Sequence, residues 1–169
     1  SEHSDLAFGP NGEDFYVYAD YSGPDDGWII ARDIGSGRKI RLAPLYQGDH
    51  EGYAVHVSGQ AFDRPGWVVL SSYDDFAKYG EQVPSPTLRP EYRKVWLAEL
   101  KEGGRKLGLA HIRASRPAGG RTEYFSEPQA TPSRDLSRVV FTSDFGSGVA
   151  EDYIIGLPGW ALDAPTASN

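Results

Sequence analysis

The chain of 169 residues is long enough for a real core, with 39% apolar and 12% aromatic residues. A formal charge of −7 opposes nucleic-acid binding, which draws on clustered Lys and Arg, and the longest basic run, Arg38-Lys39-Ile40-Arg41, would put its cations on both faces of a strand. The absence of Cys excludes disulfides, thiolate metal sites and cysteine nucleophiles, and no window approaches the roughly 18 consecutive apolar residues of a membrane-crossing helix.

With 20 Gly and 12 Pro, the composition predicts short elements joined by turns. In chain order, the turn Gly9-Pro-Asn-Gly-Glu-Asp14 launches a strand over Phe15–Tyr21, followed by strands over Gly27–Arg32 and Arg38–Ala43. A short strand over Tyr53–Ser58 then precedes the turn Phe62-Asp-Arg-Pro-Gly66, and strands follow over Trp67–Tyr73, Lys94–Leu100 and Arg105–Ile112. The last set is Tyr124–Ala130, the turn Pro132-Ser-Arg-Asp-Leu-Ser137, Arg138–Asp144 and Asp152–Leu157. These runs are β-branched and aromatic, and Gly at the turns supplies the positive φ of tight hairpins. Only Asp75–Glu81 suits even a short helical turn.

The three sets share one grammar. A polar turn launches an apolar strand that fades into small polar residues, and a second strand follows. Phe15 lies 52 positions before Trp67, and Trp67 lies 71 before Arg138, so the middle set carries insertions. Four strands per set is the grammar of a propeller blade. The predicted fold is all-β, a partial β-propeller of four-stranded antiparallel blades, two complete and a third mostly present. The units are expected at about 5–47, 53–114 and 122–158, with a C-terminal tail over 159–169. A β-sandwich also has short strands, but it has no reason to repeat one order with matching residue types.

The turn-plus-strand units resemble Tol-type periplasmic propeller repeats, in which Ser-Pro-Asp-Gly precedes the second strand of each blade; Pro10-Asn11-Gly12 and Ser133-Arg134-Asp135 hold that place here. The stretches 57–73 and 126–143 are similar to a group of bacterial extracytoplasmic propellers related in architecture to propeller polysaccharide lyases. In that group a His follows the Glu-Pro pair where this chain has Gln129, and a second His stands where this chain has Ile112. The resemblance implies an extracellular or periplasmic location. Propellers close with four to eight blades, so the ring is expected to be completed by further blades of a parent protein, by copies of the chain or by other chains. With no Met in the sequence, Ser1 is expected to be a processing or fragment boundary; any export leader would already be gone.

In a propeller the innermost strands line the channel, which selects His56, Ser58, Glu127 and Gln129, with Thr131, as ligand-facing candidates. Aligning Trp67 with Arg138 sets His56 opposite Glu127. These groups either converge on a ligand or metal, or simply hydrogen-bond across a wet channel. A lyase needs a base near the sugar C5 proton and a cation for the uronate carboxylate, and Tyr73, His56 and Arg64 are the right types. His111 and Arg113 end a fourth strand, and Asp49, His50 and Glu51 share a loop but, as chain neighbours, would not point at one ion. His3 is expected in a frayed terminus. The segment 74–93, with Pro84, Pro86 and Pro90 and the aromatics Phe76, Tyr79 and Tyr92, reads as a long contact loop or a surface excursion.

The triplet Asp144-Phe145-Gly146 lacks every companion motif of a kinase, and Gly35-Ser-Gly-Arg-Lys39 lacks phosphate-loop spacing. The expected function is a non-catalytic interaction or scaffold module binding carbohydrate or protein. A polysaccharide lyase or other carbohydrate-active propeller enzyme, and a subunit of a larger assembly, are the alternatives. No cofactor, nucleic acid or membrane insertion is expected; no residue set selects a metal, though the channel has room for one.

Overall fold

The structure, a computed structural model, describes residues 3–47, 51–76, 91, 93–115 and 124–163. The described residues are all-β and form three antiparallel sheets. The first comprises β1 (Ser4–Phe8), β2 (Asp14–Asp20), β3 (Trp28–Asp33) and β4 (Lys39–Pro44), in that order. The second runs β5 (Tyr46–Gln47), β6 (Glu51–Ser58), β7 (Trp67–Phe76), β8 (Lys94–Glu99) and β9 (Lys106–His111). The third contains β10 (Thr131–Pro132), β11 (Arg138–Ser143) and β12 (Glu151–Gly156). Each sheet is a simple meander in which strands adjacent in the chain pair antiparallel.

Side-chain alternation decides how the sheets stack. In β2 the buried Phe15, Val17 and Ala19 share one face, and Tyr16 and Tyr18 stand on the other. In β8 the run Val95-Trp96-Leu97-Ala98 is buried without a break, so both faces of the second sheet are covered. Trp96 and Ala98, with Val68 and Leu70, join Phe15, Val17, Ile29 and Ile40 of the first sheet in one core. Val95 and Leu97, with Trp67 and Val69, join Val139 and Phe141 of the third sheet in another. The arrangement is therefore three layers around two cores, with the second sheet in the middle, rather than the single core of a sandwich.

Close approach ties the first two sheets together. Gly59 lies against β1, and a Cβ built on it would meet the Leu6 carbonyl oxygen at 1.9 Å, so only hydrogen fits there. The Gly59 N–H donates to Asp5 Oδ2 at 2.9 Å, tying the end of β6 to β1. Asp144, just after β11, accepts from the N–H groups of Ser115 and Gly146. Burial pushes its carboxyl up, but these hydrogen bonds outweigh burial and hold it below the ordinary value.

Several expected elements differ. The inner strand expected over Tyr124–Ala130 is a 3-10 turn at Tyr124–Ser126 followed by extended chain, and ladder pairing starts only at Thr131. Gln129 takes φ 36, which breaks strand geometry. Pairing in β7 continues past Tyr73 to Phe76, so the long segment begins later than expected; residues 77–90 and 92 lie outside the described residues. Tyr46–Gln47, at the end of the first unit, pairs with β6. β1 was not anticipated, and a four-residue helix, α1, forms at Trp160–Asp163.

Candidate functional site

Where the three sheets meet along β1, β6 and β10, these strands and the chain just ahead of β10 form a polar seam. His56 on β6 alternates with the apolar Val55 and Val57, and its Nε2 lies 2.9 Å from Oε2 of Glu127. Glu127 follows the 3-10 turn, its N–H accepted by the Tyr124 carbonyl at 3.2 Å. The His56 ring stacks on Tyr73 of β7, with centroids 4.6 Å apart and planes 14° from parallel. His3, just before β1, meets the His56 ring edge-on at 4.6 Å, and its Nε2 lies 3.3 Å from the Tyr73 hydroxyl. One cluster thus joins two strands of the second sheet to the chain just ahead of β1 and the chain ahead of β10. Two residues further along, the Ser58 hydroxyl lies 3.2 Å from that of Thr131, and the Ala130 N–H donates to Ser71 Oγ at 3.2 Å.

Burial between Tyr73 and His3 pushes the His56 imidazole down to about 4. The adjacent carboxylate favours the protonated ring and opposes that push, but burial prevails. At neutral pH the ring is neutral and its Nε2–H donates to Glu127. The Tyr73 side chain is almost fully covered. Such a site offers hydrogen-bond donors and acceptors at fixed positions, and its titratable groups are engaged with one another.

Of the residues selected from sequence, the structure brings together His56, Tyr73 and Glu127, and sets Ser58 beside Thr131. It does not bring Arg64 to them: the guanidinium pairs with Asp163 of α1. Gln129 is exposed two residues beyond Glu127. His111 ends β9 and is exposed, as is Arg113. Asp49 and His50 lie outside the described residues. His3, read as frayed, is a member of the cluster; its position near a terminus concealed it, and nothing local marks it. Among the described residues no three His, Cys, Asp or Glu side chains converge to hold a metal ion, and no helix is long and apolar enough to cross a membrane.

Compared with protein-family models, with curated proteins and with solved structures, the chain gives no match.

Proposed function

We propose that the three sheets are consecutive blades of a β-propeller and that the chain is an extracytoplasmic binding module, taking a carbohydrate or protein ligand at its inner edge. One observation carries this reading: the middle sheet is apolar on both faces and covered on both, while the inner strands present a row of polar groups instead of an apolar edge. A blade in a ring has this division of labour. The Tol-type resemblance supports the location outside the cytoplasm.

The lyase alternative draws less support. Its base, Tyr73, has its hydroxyl on His3 and its ring against His56, and its cation, Arg64, is engaged with Asp163. Incubating the chain with uronate polymers and following ultraviolet absorbance of the unsaturated product tests this directly. The expected outcome is no product; its appearance overturns the binding-module reading.

Exposed apolar side chains favour a second role, as a subunit. Leu6, Phe8 and Tyr16 lie on the face of the first sheet turned away from the core, and Ile154 on the corresponding face of the third. In a ring both faces would meet further blades. Light scattering on the purified chain should reveal a discrete multimer; a lone monomer counts against this role.

A further inference from the structure

An aromatic pair stands in water beside the seam. Tyr124 and Phe125 are 65% and 80% exposed, with centroids 5.5 Å apart and planes 83° from parallel. On their C-terminal side the chain is held in place. The next residue, Ser126, is buried, as are Pro128 and Ala130; the Pro128 carbonyl accepts from the Thr142 N–H at 2.9 Å, and the Ala130 N–H is held by Ser71. Anchored on both sides of Glu127, the segment projects two large rings that contribute little to the core. Folding does not account for them.

We propose that Tyr124 and Phe125 form a stacking platform for a neutral glycan, whose hydroxyls engage the polar row Glu127, Gln129 and Thr131. This rests on the binding-module reading and names its ligand class. Two rings nearly at right angles make a corner: one ring packs flat on the apolar C–H face of a pyranose and the other against its edge. The tyrosine hydroxyl adds a polar tip. Beyond the corner, buried residues 128 and 130 alternate with Glu127, Gln129 and Thr131, which supply a carboxylate, an amide and a hydroxyl. A carboxylate repels the acid groups of a polyuronate, the guanidinium of Arg64 is engaged elsewhere, and the chain is acidic overall. These charges select an uncharged glycan. A globular protein partner would require about 800 Å² of contact on this side, whereas an aromatic corner and a short polar row match a few sugar rings.

The test uses the full chain with immobilised cellohexaose, xylohexaose, mannohexaose and polygalacturonate, comparing wild type with Tyr124→Ala, Phe125→Ala and Phe125→Tyr. Both rings are exposed, so the variants should fold as wild type does, which circular dichroism checks. Wild type should retain a neutral hexasaccharide, either alanine variant should bind about tenfold more weakly, and Phe125→Tyr should keep its affinity. Retention unchanged in both alanine variants overturns the platform while leaving a binding module intact. Preference for polygalacturonate overturns the neutral class. Retention of no probe overturns the inference, whereas the module reading falls only if the uronate assay gives product.

Discussion

The 2.9 Å contact between His56 and Glu127 joins residues 71 positions apart, the same offset that separates Trp67 from Arg138. Trp67 opens β7 and Arg138 opens β11, whereas Glu127 lies ahead of the third sheet's ladder, which begins at Thr131, and reaches His56 from extended chain. Stacking the third sheet on the second brings the chain ahead of β10 alongside β6. A donor on one and an acceptor on the next then meet without any local signal between them.

Burial of the His56 ring makes stability depend on pH. The folded pKa of His56, about 4, lies below its ordinary value of 6.5. Between those values the unfolded chain holds the proton and the folded chain does not, so stability falls as pH drops through this window and is full above it. The contribution approaches roughly 3 kcal/mol at the lower end. Urea unfolding of wild type and His56→Gln at intervals from pH 7 to pH 4 isolates it. The variant should lose less stability than wild type across this range, and parallel losses would contradict the assignment of a neutral, buried ring.

Ser71 supports a second prediction. It is fully buried on β7, and its Oγ accepts the Ala130 N–H from the chain that enters β10. Ser71→Ala strands that buried N–H and should cost about 1–3 kcal/mol. A shift in urea midpoint with an unchanged denaturant slope would register it; wild-type stability would mean that the bond contributes nothing net.

Strand positions were legible where physics is local. The runs at Phe15, Trp67 and Arg138 each follow a polar turn and alternate or saturate in apolar residues, and β2, β7 and β11 begin within one residue of them. β1 was hidden because Ser-Asp-Leu-Ala-Phe has little β-branched content and gains its place by pairing with β2. The inner strand of the third sheet was over-read: Tyr124-Phe-Ser is aromatic but turns, held by the Glu127 N–H on the Tyr124 carbonyl. The seam was half legible. Repeat alignment set His56 opposite Glu127, whereas His3 and Ser71 reach their partners only through stacking of the layers, which no residue window encodes.

Gly59 tests the tightness of that stacking. A methyl there would overlap the Leu6 carbonyl and Ala7 Cβ, both held by the β1–β2 ladder. Gly59→Ala should therefore lower stability by roughly 1–3 kcal/mol and raise protease cleavage near Leu6. Unchanged cleavage and stability would show that β1 can withdraw at no cost.

The two cores provide the last prediction. Ile29 belongs to the core between the first and second sheets, and Val139 to the core between the second and third; both are fully buried. Ile29→Val should cost roughly 0.5–1.5 kcal/mol through the cavity that it leaves, and Val139→Ala about 2. Neither residue shares a core with the other, because β7 and β8 stand between them with side chains committed to opposite faces. The double variant should equal the sum of the singles within roughly 0.5 kcal/mol, measured by equilibrium unfolding. Coupling well beyond that would mean that the middle sheet transmits repacking from one face to the other, and the layers would have to be treated as one core.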